Sequence, residues 1–195
     1  MLYFIALIVS YFFGSIPMGL ILTKLAGKGD LRKVGSGNIG ATNVMRVGGL
    51  RMAGLVWVLD MVKAIAAVFI GKYIGGDAFG AWCGFAAIVG HCYPVWLKFK
   101  GGKGISSLFG TLLAVSPVSF AVCGIEWLLV ALTSGISSLG AVIVFCLIPV
   151  LGFAISVQTG FAFLAIGLLC MWRHRANIKR LMTGSESKIE WKWKK

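Results

Sequence analysis

The strongest constraint on this chain is a run of 46 residues, 127 to 172, without one charged side chain. A helix needs about 20 residues to cross the ~30 Å hydrocarbon core of a bilayer, so this run is long enough for two crossings. Residues 1 to 23 are also free of charge. Between these stretches lie interrupted candidates. Met52 to Gly71 holds Asp60 and Lys63, Ile74 to Leu97 holds Asp77 near one end, and Gly104 to Trp127 holds Glu126. Open strands cannot satisfy their backbone in lipid, and alternating ten-residue barrel segments are not visible, so the runs are read as helices. Only 13% of residues are charged, against roughly a quarter in soluble domains, and the mean hydropathy is +0.91. Those values exclude a soluble enzyme and a disordered chain, and the 27 glycines lack the three-residue period of collagen. The expectation is an all-α polytopic membrane protein forming a single domain over residues 1–195.

The first apolar run lacks a preceding basic region and a small-residue cleavage site after it, so it reads as a retained helix. Orientation follows from the cations. Lys24, Lys28, Arg32, Lys33, Arg46 and Arg51 form one group and Lys98, Lys100 and Lys103 a second. The tail adds Arg173, Arg175, Lys179, Arg180, Lys188, Lys192, Lys194 and Lys195. Together these are 17 of the 19 Lys and Arg, all on one side if the helices alternate, and the positive-inside rule makes that side cytoplasmic. The N-terminus is then outside and the C-terminus cytoplasmic. Parity requires an even number of crossings between Gly104 and Met171, so residues alone allow five or seven helices. Four crossings there would average 17 residues, with breaks near Ser116-Pro117, Thr133 to Ser138 and Ser156 to Gly160.

The five cysteines (Cys83, Cys92, Cys123, Cys146, Cys170) are scattered, mostly within apolar runs, and read as buried small hydrophobes. With His91 and His174 as the only imidazoles, no metal site and no cofactor is expected. Asp60 and Lys63, three residues apart, read as a self-neutralising pair that positions its helix; the depth of Glu126 stays open.

Four polar segments could carry chemistry. In the first, Gly35-x-Gly37-x-x-Gly40 has the spacing of a dinucleotide fingerprint, but a membrane helix precedes it where that motif needs a strand. What survives is local physics. Glycines let successive N–H groups point into one concavity that suits phosphate, Ser36, Asn38, Thr42 and Asn43 add neutral donors, and Arg46 adds a planar fork. The second segment, Phe99-Lys-Gly-Gly-Lys-Gly104, places Gly101, Gly102 and Lys103 where a charge-free helix begins, an arrangement favourable for an anion. The third is Thr133-Ser-Gly-Ile-Ser-Ser138, which small-residue packing between helices would also explain. The fourth, His174-Arg-Ala-Asn-Ile-Lys-Arg-Leu181, sets His174, Asn177 and Arg180 on one helical face. An interfacial stripe continued by Trp191-Lys-Trp-Lys-Lys195 is its plainer reading.

The order of these pieces, with Gly90-His-Cys-Tyr-Pro94 ahead of the second, resembles the bacterial acyl-phosphate:glycerol-3-phosphate acyltransferase family over essentially the whole chain. Ile39 stands where Pro or Val is common, and Ala176 replaces a frequent acidic residue. The resemblance implies a seven-helix, multi-pass enzyme of the bacterial inner membrane with its active site toward the cytoplasm. It would transfer a fatty acyl group from acyl phosphate to the sn-1 hydroxyl of glycerol 3-phosphate, giving 1-acylglycerol 3-phosphate and phosphate. It also implies a soluble partner enzyme that makes acyl phosphate from acyl-acyl-carrier-protein. Carried over to this sequence, Ser36, Lys103 and Ser138 line the site, with Arg46, His174 and Asn177 holding glycerol 3-phosphate. Ser36, Lys103 and His174 are thus the candidate catalytic residues; Gly37, Asn38, Asn43, Arg46, Gly101, Gly102, Ser138 and Asn177 are candidates for substrate binding. The expected partners are the two substrates and the bilayer, with no nucleic acid. Two other classes fit basic glycine loops beside membrane helices: a transporter of a phosphorylated metabolite, for which inverted repeats would be expected, and a scaffold binding anionic headgroups.

Overall fold

Proline, glycine and serine set where this chain stops being helical. The computed structural model describes residues 1–189, so Lys192, Lys194, Lys195 and the Trp191-to-Lys195 stripe lie outside the described residues. The described residues form eight α-helices and no strand. They fall into two compact units, Met1–Val115 and the remainder from Ser116 onward.

In the first unit, α1 (Leu2–Ser15) and α2 (Met18–Leu25) make one apolar segment broken at Ile16-Pro17. Ile16 is extended, as the residue before a proline prefers, and Pro17 begins α2 without needing a donor. The long α3 (Ala41–Cys92) is interrupted at Gly49 (φ 80°) and at Gly75-Gly76 (Gly76 φ 77°). It packs against α1 and against α4 (Ile105–Val115). Small residues permit this approach: a Cβ on Gly14 would overlap the Ala87 carbonyl, and one on Gly90 the Tyr11 carbonyl.

The second unit contains α5 (Pro117–Ser134), α6 (Ser137–Ile155), α7 (Val157–Arg173) and α8 (Arg175–Met182). Its breaks fall where local sequence predicts. Ser116 caps α5 by accepting from Ser119 N at 3.2 Å, Gly135 ends α5 in the left-handed region, and Ser156 caps α7 by accepting from Thr159 N at 3.1 Å. Consecutive helices pack in order, α5 on α6 and α6 on α7, and α8 touches α6 and α7.

Four segments are long and apolar enough to cross a membrane: Leu2–Leu25, Ala41–Leu97, Pro117–Ser134 and Ser137–Ile155. The helices between Gly104 and Met171 are unequal: α5, α6 and α7 have 18, 19 and 17 residues and α4 only 11, about 16 Å. It is buried from Ser106 through Leu112, so protein rather than lipid surrounds that stretch, and it need not match the bilayer thickness. Cys83, Cys92, Cys123 and Cys170 are buried, but Cys146 is exposed. The outward face of a membrane helix is as apolar as its inward face, so hydropathy does not tell the two apart.

Candidate active site

The candidate residues fall into two sets, one in each unit. In the first unit, the glycine loop between α2 and α3 is built around Asn43, whose side chain is buried at the start of α3. Its Oδ1 accepts from Ser36 N at 2.9 Å, and its Nδ2 faces the carbonyls of Leu31, Val34 and Asn38 at 3.1, 2.9 and 2.9 Å. Gly35 (φ 62°) must be glycine here, because a Cβ would overlap Asn43 Oδ1. Asn38 Oδ1 accepts from Gly40 N at 2.9 Å, forming a second local turn. The loop thereby holds Ser36 and Gly37 on the surface, with the Arg46 side chain passing beside Gly35. Arg32 is committed elsewhere: it pairs with Asp30 at 2.6 Å, and that hydrogen bond holds the Asp30 carboxyl down at about 2.

Asn43 therefore shapes the loop, since both ends of its amide are engaged by backbone, and its expected role as an anion donor is revised. Asn43→Ala leaves buried carbonyls unpaired, which costs about 1–3 kcal/mol, and frees the loop. Asn43→Asp keeps the acceptor for Ser36 N but loses the donors. Both variants are expected to lower the thermal midpoint and raise the KM for the phosphorylated substrate; a wild-type midpoint for Asn43→Asp would refute this account.

The second basic segment leaves α3 through Pro94 and a short 3₁₀ turn, Val95–Leu97. Leu97 packs on the buried cluster of Leu31, Ile39, Val44, Ala53 and Val56 beneath the glycine loop, so both basic loops root in one apolar cluster. Lys98 and Phe99 follow with φ 51° and 60°, a left-handed conformation that costs non-glycine residues about 1–2 kcal/mol each. The turn then returns to α3: Gly101 N donates to Cys92 O at 3.1 Å and Gly102 N to His91 O at 3.0 Å. This corrects the expectation that the Gly-Gly N–H groups are anion donors. Their small size is what the geometry uses, because a Cβ on Gly102 would overlap the His91 ring. Lys103, half-buried, follows at the entrance to α4.

His91 is a residue that sequence reasoning missed. Asp60 and Lys63 form the expected ion pair, at 2.7 Å and almost fully buried. Lys63 Nζ also donates to Ile16 O and to His91 Nδ1, both at 3.0 Å, and His91 Nδ1 lies 3.6 Å from Asp60 Oδ1. With Nδ1 accepting, a neutral ring carries its proton on Nε2, the atom turned toward Gly102. Ser107 Oγ of α4 donates to Asp60 O at 3.2 Å, so the network grips both sides of the Lys103 loop. The signal available was the placement of His91 in Gly90-His-Cys-Tyr-Pro94, directly before that loop.

In the second unit, the α7–α8 junction is His174, buried and stacked on Phe145 with ring centroids 4.9 Å apart. Its Nδ1 donates to Cys170 O at 2.9 Å, which leaves Nε2 as the acceptor of the neutral ring. Asn177 and Arg180, one turn apart on α8, meet Ser138 at a shared partner, the Glu186 carboxylate. Ser138 Oγ and Asn177 Nδ2 donate to Oε1 at 3.0 and 2.7 Å, and Arg180 Nε to Oε2 at 2.6 Å. Burial pushes the Glu186 carboxyl up, but the hydrogen bonds from Arg180, Asn177 and Ser138 outweigh it and hold the group below its ordinary range. Glu186 was not anticipated, although it is an acidic residue in a basic tail. The rest of the polar knot serves the α5–α6 turn: Ser134 Oγ donates to Val130 O at 2.6 Å and accepts from Ile136 N at 3.0 Å. Glu126, midway along α5, has both carboxylate oxygens buried without a hydrogen-bond partner. Among the described residues no group of three or more His, Cys, Asp or Glu could hold a metal ion.

The profile of the family described as "Glycerol-3-phosphate acyltransferase" matches residues 4–184. The chain belongs to the glycerol-3-phosphate acyltransferase family. It is 48% identical over 185 residues to glycerol-3-phosphate acyltransferase 1 of Rhizobium johnstonii, covering 94% of this chain and 90% of that one. It is 42% identical over 186 residues to the glycerol-3-phosphate acyltransferase of Agrobacterium fabrum, covering 95% and 91%. Among solved structures it is similar to PlsY (YgiH), an integral membrane glycerol 3-phosphate acyltransferase. The glycerol 3-phosphate form matches with TM-score 0.91, 36% identity and 96% of each chain covered. The lysophosphatidic acid form matches with TM-score 0.89, 35% identity and 96% and 95% covered.

As a member of the glycerol-3-phosphate acyltransferase family the chain is an acyltransferase enzyme with an integral-membrane fold, and the transporter and scaffold readings fall.

Proposed function

We propose that this enzyme transfers a fatty acyl group from acyl phosphate to the sn-1 hydroxyl of glycerol 3-phosphate, releasing 1-acylglycerol 3-phosphate and inorganic phosphate. The observation that carries the reading is the rooting of two basic glycine loops in a single apolar cluster, with Ser36 on one, Arg46 in the first turns of α3 that follow it, and Lys103 on the other. Both substrates bring phosphate, and one brings an apolar chain. An apolar groove of about 280 Å³ between α1 and α3, lined by Leu7, Tyr11, Trp82, Phe85, Ala86 and Val89, suits part of that chain.

The proposed chemistry needs no acyl-enzyme, because acyl phosphate is already an activated anhydride. The sn-1 oxygen attacks the acyl carbonyl, the carbonyl carbon–phosphate oxygen bond breaks, and the hydroxyl proton ends on the departing phosphate. His174 Nε2 or a phosphate oxygen relays that proton. Lys103 neutralises charge building on the leaving phosphate, and Arg46 grips glycerol phosphate through its planar fork, with Asn177, Ser138 and Ser36 as neutral donors. Gly37, Asn38, Gly101 and Gly102 give the loops their close approach. We take residues 1–195 as one acyltransferase domain.

For topology we infer seven spans, with the N-terminus outside and the C-terminus and active site toward the cytoplasm of the bacterial inner membrane. The break at Gly75-Gly76 supports the count by dividing α3 into two apolar segments, and the clustering of cations supports the orientation. A soluble enzyme making acyl phosphate is the expected upstream partner. The test is phosphate release by purified protein in detergent with palmitoyl phosphate, with and without glycerol 3-phosphate. Release that needs both substrates and yields lysophosphatidic acid is expected; turnover with acyl-CoA but not acyl phosphate would overturn the donor assignment.

A further inference from the structure

We propose that the groove between the end of α2 and the restart of α3 after Gly49 seats one anionic phospholipid, and that this lipid steadies the glycine loop. The proposal needs α2 and α3 to stand in a bilayer but is independent of which acyl donor the enzyme uses. The groove is open and measures about 520 Å³, nearly twice the volume of the one between α1 and α3. Leu22, Leu25 and Ala26 of α2 line one side, Met52 and Leu55 of α3 the other, and Arg51 is the charged residue in its wall. Leu25 is 80% exposed and Leu55 50%, an arrangement that suits acyl chains and not water.

Two glycines shape the groove. Gly27 (φ 67°) closes α2: Gly27 N donates to Lys24 O at 3.1 Å and Lys28 N to Thr23 O at 2.9 Å. Gly49 (φ 80°) breaks α3, and nothing lies within 4 Å of the place its Cβ would take, so the backbone turn demands glycine there and packing does not. Arg51 therefore stands in the first turn of the segment that restarts at Leu50, where the helix dipole adds to its positive charge.

The cations at this end of the molecule lack internal partners. Through residue 59 the sequence holds one carboxylate, Asp30, and it is paired with Arg32 at 2.6 Å. Lys24, Lys28 and Arg51 are exposed, and their side chains form no hydrogen bond or ion pair among the described residues. A phosphodiester headgroup carried on acyl chains answers both features, with an anion for the guanidinium and a chain for the leucines. Free phosphate answers the first alone, and a zwitterionic lipid brings a cation of its own. Leu22 and Met52 also pack on the cluster of Leu31, Ile39, Val44, Ala53 and Val56 beneath the glycine loop. A chain filling the groove thus supports the residues on which the loop carrying Ser36 is rooted.

The test compares purified protein in phosphatidylcholine nanodiscs with and without added phosphatidylglycerol, reading the thermal midpoint and the hydrogen exchange of residues 31–40. Phosphatidylglycerol is expected to raise the wild-type midpoint by about 5 °C and to slow exchange in the loop about 3- to 10-fold. Arg51→Gln, which removes the headgroup partner, and Ala26→Phe, which fills the groove, should each abolish both responses. Lys179→Gln, an equal change of charge on α8, should keep them. Equal responses in Lys179→Gln and Arg51→Gln would mean diffuse attraction to an anionic surface and overturn the proposal. Responses that survive Ala26→Phe, or no difference between the two lipid compositions, would overturn it too. A rise produced by inorganic phosphate alone and lost in Arg51→Gln would show a free-anion site in place of a lipid seat. Neither readout uses acyl transfer, so failure of the donor assignment would leave this inference standing.

Discussion

Lys103→Ala is expected to lower kcat by about 10²- to 10³-fold, the usual cost of removing one preorganised group that meets charge developing in the transition state. The surrounding structure argues for such a group. Two left-handed residues, Lys98 and Phe99, precede Lys103, and two glycines are pinned to the carbonyls of Cys92 and His91. A flexible surface lysine would not require that much local constraint. Lys103→Arg should restore little, because a broad planar fork does not replace a compact ammonium at the mouth of a tight turn. The check is single-turnover phosphate release together with a thermal midpoint to establish folding. A folded Lys103→Ala protein with more than a third of wild-type turnover would remove Lys103 from the chemistry.

Lys63→Met is expected to cause the largest loss of stability, about 3–5 kcal/mol, by stripping the ammonium from a buried network and leaving Asp60 uncompensated. The loss should reach the active site, because the same ammonium anchors His91, and the His91 ring backs the Gly102 turn. Pairing Lys63→Met with Asp60→Asn should recover part of the stability, since a buried pair replaced on both sides costs less than one broken on one side. Turnover should not recover with it, because His91 remains unanchored. Thermal unfolding in detergent and kcat measured on the same samples separate the two effects. A double variant no more stable than Lys63→Met would show that the charges are not coupled.

Parts of this molecule were readable from short stretches of sequence. The helix breaks at Ser116, Gly135 and Ser156 coincide with expectation because their causes are local: Ser116 and Ser156 each accept a bond from a backbone N–H three residues on, and Gly135 takes a left-handed conformation that its lack of a side chain permits. The Asp60 and Lys63 pair was equally legible, being one helical turn apart. Arg180 sharing a face with Asn177 follows from the same spacing. The motif residues as a set also pointed to the family to which the chain belongs.

Reading failed where a residue's type was right but its direction was not. Asn43 has the donors and acceptor of a phosphate ligand, and uses them on the carbonyls of Leu31, Val34 and Asn38 and on Ser36 N. Gly101 and Gly102 have the conformational freedom of an anion loop, and spend their N–H groups on α3. Composition states which atoms are available but leaves open which way they face.

By itself the sequence determined the solvent and the punctuation: charge-free runs admit only helices in lipid, and prolines, glycines and serines end those helices through bonds that reach a few residues. Only the tertiary structure decided the partners across distance. The fold-back of α3 at Gly75-Gly76 brought His91 to Lys63 across 28 residues, and the reversal after α8 brought Glu186 to Ser138 across 48. Such contacts depend on where rigid helices come to rest against each other, which no local spacing encodes.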